Sequence, residues 1–248
     1  MPQRLANRIV VVTGASRGMG RSISATFAAE GAKVAMLARD GEALAEAARE
    51  IGASAMPVSC DVSDPSSVRA AFAAIEATLG GIDVLINNAA VANPQLIEEA
   101  DDRLAQREVA VNLLGPLYCS RAAIPSMRRR GGGDIINVSS ESVRTAYPYL
   151  SLYAATKQAL ETLSAGLRTE LKGSNIRVAI YRSGRVRGTF SRDWDPAMAK
   201  RARAAAEEAG FYNVSGRPVA PEIPAKAMVE LVLLEREASI DLLELRSI

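Results

Sequence analysis

Ile9-Val10-Val11-Val12-Thr13-Gly14-Ala15-Ser16-Arg17-Gly18-Met19-Gly20 sets an unbroken apolar run against a glycine-rich turn. A run this short, β-branched and bounded by glycine, reads as a strand buried on both faces. The residues beyond it read as a helix to about Glu30. Glycines at 14, 18 and 20 allow a tight turn and let backbone N–H groups close on an anion. The start of the following helix favours negative charge. The spacing departs from G-x-G-x-x-G. Its position after the first strand points to nucleotide binding; the alternative is ordinary strand-to-helix punctuation.

Working outward, short apolar runs alternate with helical stretches. Lys33 to Ala38, Ala55 to Ser59, Ile82 to Asn87, Asp134 to Ser139, Ile176 to Arg182 and Ile240 to Leu245 read as further strands. An Ala- and Glu-rich helix follows the second strand. Pro65 opens the next helix with Asp64 as its N-cap. One long helix is expected from Arg103 to about Arg129, ended by Gly131-Gly132-Gly133, and another from Ser151 to Lys172. Such alternation implies right-handed crossovers and a parallel sheet covered on both faces. The expectation is a doubly wound, seven-stranded, Rossmann-like α/β fold forming a single domain over residues 1–248. One excursion interrupts it. Residues 184–221 are polar, with a short helix expected from Pro196 to Ala209, and read as a substrate-binding loop or lid. A tolerated surface insertion is the alternative.

Composition narrows the classes. The chain of 248 residues is 48% hydrophobic and 23% charged, as in globular domains. A net charge of +2 argues against a nucleic-acid partner. The run Arg128-Arg129-Arg130 reads as a solvated helix end rather than a phosphate patch. Cys60 and Cys119 are the only cysteines and histidine is absent. Neither a disulfide framework nor a metal site is expected from that set. No apolar run approaches a membrane span and no leader pattern is evident, so a cytoplasmic location is expected.

Tyr153-Ala154-Ala155-Thr156-Lys157 carries the clearest chemical signal. Spacing i, i+4 puts a phenol and an ammonium on one helical face. A neighbouring cation favours phenolate, so the pair is expected to act as a proton donor and acceptor with a lowered phenol pKa. The second strand ends at Ala38-Arg39-Asp40. An acid at the strand end would hold a ribose 2′-OH; here Arg39, with Arg17 in the turn, suits a 2′-phosphate. NADP(H) is therefore expected over NAD(H). The alternative leaves Arg39 solvated and turns Asp40 back to the ribose.

Together these residues resemble the classical type of the short-chain dehydrogenase/reductase family. Thr13-Gly14-x-x-x-Gly18-x-Gly20 is similar to its cofactor turn, and Asp61-Val62 to its adenine contact. Asn87-Asn88-Ala89-Ala90 resembles its strand-four motif, with Ala90 where glycine is commoner. Asn112 falls at its structural and proton-relay asparagine. By spacing to Tyr153, Ser140 rather than Ser139 aligns with its catalytic serine. The resemblance implies a catalytic set of Asn112, Ser140, Tyr153 and Lys157. It implies cofactor contacts from Gly14, Ser16, Arg17, Gly18, Met19, Gly20, Arg39, Asp61, Val62, Asn88, Ala89, Tyr153, Lys157, Gly184 and Val186. Ser183-Gly184 replaces the usual Pro-Gly, and Thr189 stands one place beyond the expected threonine. Homodimers or homotetramers are the family's usual assemblies.

The implied reaction passes a hydride between NADP(H) and a carbonyl or secondary alcohol. Tyr153 gives or takes the proton, Ser140 holds the oxygen, Lys157 tunes the tyrosine and Asn112 supports a water relay. Ser142, Tyr147, Tyr149, Phe190 and Trp194 are expected to line the substrate. The competing readings are a non-catalytic NADP(H)-binding regulator, an NAD(H)-dependent dehydrogenase, and a dehydratase or epimerase on the same fold.

Overall fold

The computed structural model describes residues 3–211 and 217–246. Its centre is a seven-stranded sheet of order β3-β2-β1-β4-β5-β6-β7. The strands are β1 Ile9–Thr13, β2 Lys33–Ala38, β3 Ala55–Ser59, β4 Val84–Asn87, β5 Gly133–Ser140, β6 Ile176–Ser183 and β7 Leu242–Leu245. Every neighbouring pair is parallel. Successive residues of β1 feed opposite cores, which is why the run has no polar alternation. Val10 and Val12 join Phe27, Met228 and Val229 on one face. Val11 joins Phe72, Ile75, Cys119 and Met127 on the other. The chain order reverses at β1 and β4, so their carboxyl ends open a crevice.

The helices are α1 Gly18–Ala29, α2 Gly41–Ile51, α3 Pro65–Leu79, α4 Asp102–Val109, α5 Gly115–Arg129, α6 Ser151–Glu170, α7 Pro196–Glu208 and α8 Glu222–Leu233. Asp64 caps α3 by accepting from Ser66 N at 2.8 Å, with Pro65 in the first turn. The single helix expected from Arg103 to Arg129 is divided by a π-helical turn, Ala110–Leu114. The tribasic run stays exposed at the helix end, with two of its arginines in ion pairs. Arg130 pairs with Asp83 at 2.8 Å and Arg129 with Glu76 at 2.8 Å. Near the amino end of the sheet, buried Asp134 gathers Arg8, Arg177 and Arg236. No helix among the described residues is long and apolar enough to cross a membrane. Residues 212–216 of the excursion, and Ser247 and Ile248 at the carboxyl end, lie outside the described residues.

Candidate active site

The turn between β1 and α1 is a cradle that side chains would fill. Gly14 has φ +66°, and a Cβ there would meet Ala89 Cα at 2.9 Å. A Cβ on Gly20 would run into the Gly14 carbonyl and lie 2.6 Å from Asn88 Nδ2. Thr13 and Asn88 lock the turn to β4. Asn88 N and Ala89 N both donate to Thr13 Oγ1 at 3.0 Å, and Asn88 Nδ2 donates to Thr13 O at 2.9 Å. Helix α1 begins without a side-chain cap and without an acid in its first turn. Its first N–H groups are therefore suited to an anion. Ser16 is half-buried in the turn, and Met19 packs onto the core beneath it.

Arg17 and Arg39 stand at the rim. Arg17 pairs with Asp193 of the excursion, and Arg39 adds to the positive field on that carboxylate. Asp193 is held below the usual carboxylate range, chiefly by the hydrogen bond from Arg17. Asp40 caps α2 by accepting from Ala43 N at 3.1 Å. On the adjoining side, Asp61 accepts from Ser63 N at 2.9 Å and Ser63 Oγ at 2.6 Å. Val62 is buried against Gly115.

The residues expected to handle the proton, Ser140, Tyr153 and Lys157, lie at the carboxyl end of β5. Ser140 Oγ accepts from Ser142 N at 3.2 Å and stands close enough to Tyr153 to act on its phenol. Ser139 Oγ is committed elsewhere, donating to Glu161 at 2.6 Å. Lys157 is buried, donates to Val138 O at 2.8 Å, and stands 5.7 Å from the Tyr153 ring centroid. Burial pushes the Tyr153 phenol above its ordinary value; the nearby Ser140 hydroxyl opposes this and the Glu108 charge adds to it. The surroundings of Tyr153 thus favour the neutral phenol, against the lowered value expected from the i, i+4 cation. The physical reason is that the ammonium points to a carbonyl while desolvation and a carboxylate both favour the neutral phenol. Burial pushes Lys157 down to about 8, with Glu108 pulling it back up.

The Asn112 amide is held on three sides. Its Oδ1 accepts from Val91 N at 2.9 Å, and its Nδ2 donates to Val91 O at 2.8 Å and Thr156 Oγ1 at 3.1 Å. The amide is therefore a tie between the segment after β4, the π-turn and α6. One helical turn earlier, Glu108 holds Asn93 in the same segment, accepting from its backbone N at 2.9 Å and its Nδ2 at 3.2 Å. Glu108 is 1% exposed and escapes a reading in which helical glutamates face solvent. Its i, i+4 relation to Asn112 is the signal that marks it.

The excursion crosses this site. Gly184 packs against β7, its N–H bonded to Leu245 O at 2.9 Å, and Val186 bridges to Val219. Thr189 passes over Gly18, with its Oγ1 3.5 Å from where a Cβ on that glycine would stand. Phe190 lies against Tyr153 at 5.5 Å between ring centroids, and Trp194 against Phe190 at 6.1 Å. Among the described residues, the Ser142 hydroxyl and the Trp194 indole N–H are buried without a hydrogen-bond partner. Tyr147 donates to Glu141 Oε1 at 2.8 Å and stacks on Phe211 at 4.7 Å, beside a cavity of about 170 Å³. Tyr149 has φ +67° and lies under the Arg201 guanidinium. Arg182 is spent on Glu161 and Glu244, so it does not face the site as a free cation.

The sequence profile of the short chain dehydrogenase family matches residues 8–199. The chain belongs to the short-chain dehydrogenase/reductase family. It is 34% identical over 194 residues to Dehydrogenase/reductase SDR family member 7B of Mus musculus, covering 75% of this chain and 60% of that protein. It thus spans about 60% of the length of that relative. Galactitol 2-dehydrogenase of Agrobacterium fabrum is 36% identical over 176 residues, covering 70% and 69% of the two chains. The crystal structure of L-sorbose reductase from Gluconobacter frateurii with NADPH and L-sorbose superposes with a TM-score of 0.85 at 29% identity, covering 99% of this chain and 97% of that one.

Proposed function

We propose that this protein is an NADP(H)-dependent oxidoreductase interconverting a carbonyl and a secondary alcohol. The observation that carries the reading is the convergence of Ser140, Tyr153 and Lys157 beside the glycine cradle. Bound nicotinamide cofactor supplies the hydride. In carbonyl reduction Tyr153 starts as the neutral phenol, which its environment favours, and donates its proton to the developing alkoxide. Ser140 donates to the same oxygen and fixes it. The Lys157 ammonium stabilises the phenolate left behind. Asn112 holds the floor through Val91 and Thr156.

Arg17 and Arg39 support the preference for a 2′-phosphate, because Asp40 is occupied as a helix cap. Residues 184–211 act as the substrate-side cover, with Phe190 over Tyr153. A polyhydroxylated substrate suits the unpartnered Ser142 hydroxyl and Trp194 N–H, and the names of two relatives, galactitol 2-dehydrogenase and L-sorbose reductase, agree with that class. The test is nicotinamide absorbance with NADPH or NADH against ketoses and simple ketones. Turnover lost in Y153F with NADPH binding retained is expected. Unchanged turnover in Y153F would overturn the mechanism, and equal efficiency with NADH would overturn the cofactor preference.

A further inference from the structure

Ser139, Arg182 and Glu244 stand in one row across β5, β6 and β7, at the carboxyl end of the sheet. Arg182 is the hub of that row, with 12% of its side chain exposed. Its guanidinium grips Glu161 of α6 with two parallel bonds, Nε to Oε1 at 3.0 Å and Nη2 to Oε2 at 2.7 Å. Such a fork fixes direction as well as distance. Ser139 Oγ donates to the same Glu161 at 2.6 Å. The third nitrogen, Nη1, donates to Glu244 Oε2 at 2.9 Å. Glu244 in turn accepts from Arg144 Nε at 2.9 Å, and Arg246 approaches its other oxygen at 3.4 Å.

The two arms end on the two halves of the site. Tyr153, Lys157 and Glu161 follow one another at four-residue steps, so they share one face of α6. The Glu161 arm therefore grips the helix face that carries the phenol and the ammonium. Ser140 opens a single turn, Glu141–Val143, by accepting from Ser142 N, and Arg144 closes that turn by donating its N–H to Glu141 O at 3.0 Å. The Glu244 arm therefore grips the far end of the turn that carries Ser140. Apolar side chains of similar volume often fill such a space at no loss of stability, so a buried ionic row is better explained by the geometry it imposes.

We propose that Arg182 is a positioning residue that holds the Tyr153–Lys157 face of α6 in register with the turn bearing Ser140, through Glu161 on one side and through Glu244 and Arg144 on the other. The role rests on the oxidoreductase reading for its effect on turnover.

The test joins kinetics to a spectroscopic signal from the full chain, which has six tyrosines. The Cζ carbon of tyrosine is isotope-labelled, and the Tyr153 NMR signal is assigned by its loss in Y153F. S140A gives the displacement of that signal when the serine hydroxyl is gone. R182M should move the signal the same way and lower kcat by about 10-fold or more, since a misplacement of about 1 Å can cost about 10²-fold. NADPH affinity by calorimetry should hold at the wild-type value. In the S140A background R182M should lower kcat less than about twofold, because no serine is left to position. R144M cuts the outer arm at a side chain 55% exposed, so it is expected to fold, and it should move kcat and the signal in the same direction by less. Full additivity of R182M with S140A, an unmoved Tyr153 signal, or a parallel loss of NADPH affinity would overturn the proposal. If R182M does not fold, R144M decides, and an unchanged kcat and signal there would overturn it. A wild type without turnover would refute the oxidoreductase reading and leave the Tyr153 signal to judge Arg182 alone.

Discussion

Ser139 and Ser140 are neighbours on β5 with separate partners. Ser139 satisfies buried Glu161, whereas Ser140 meets Tyr153. S140A is expected to lower kcat by about 10²–10³-fold, the cost of losing one donor to a developing oxyanion, with any loss of stability limited to the cap it gives Ser142 N. S139A removes a donor from a buried carboxylate and is expected to cost about 1–3 kcal/mol of stability in chemical denaturation. The reverse pattern would exchange their roles. Lys157 gives a second residue-scale prediction, from pH. Its folded value of about 8 lies below its ordinary 10.5, so burial opposes folding most strongly below pH 8. That penalty fades as pH rises from the folded towards the unfolded value, because there the unfolded chain binds the proton more tightly. Wild type should therefore gain unfolding free energy relative to K157M between pH 8 and 10. A gap that does not change over this window would remove buried charge as the cause.

At the scale of elements, glycines separate a functional turn from ordinary chain. G20A places a methyl into the Gly14 carbonyl and Asn88, so the turn must open. Overpacking of this kind costs about 1–3 kcal/mol, and NADPH affinity measured by calorimetry should fall with it. G41A is the contrast. No heavy atom lies within 4 Å of its Cβ position, and Gly41 opens α2 without a positive φ. It is expected to leave NADPH affinity unchanged and add about 0.4–1 kcal/mol through the unfolded state. What was legible in the sequence follows the same division. The first three strands match their expected limits, because each run of strand-forming residues is closed within two residues by a glycine or an aspartate, Gly14, Asp40 and Asp61. β4 starts at Val84 rather than Ile82, since Ile82 N is turned to Ser126 Oγ by a distant helix. The break between α4 and α5 was not legible. It lies where the Asn112 amide is pulled to Val91 and Thr156, a tertiary contact that helical periodicity does not encode. Glu108 escaped for the same reason: its burial depends on Asn93 and on α6, both remote in sequence.

Across the whole molecule, the excursion is bound to the cofactor turn by charge as well as by packing. Arg17, the residue proposed to meet a 2′-phosphate, is paired with Asp193. A phosphate dianion and this carboxylate would then claim one guanidinium. The pair is exposed, Arg17 at 44% and Asp193 at 65%, so its strength is that of a surface ion pair, about 0.2–1 kcal/mol. Freed of that competition, D193N should bind NADPH more tightly by roughly 1.5- to 5-fold, the same energy expressed as affinity. NADH, which brings no 2′-phosphate to the guanidinium, should be nearly unaffected. R17A should act in the opposite sense, weakening NADPH far more than NADH. Screening adds a further discriminant, because both the pair and the phosphate contact weaken as salt shortens the Debye length to about 3 Å at 1 M. The D193N advantage should therefore shrink between low and high salt. If D193N changes NADPH and NADH affinities equally, Asp193 closes the excursion without competing for the phosphate, and the selectivity must then rest on Arg39 and on the capped state of Asp40.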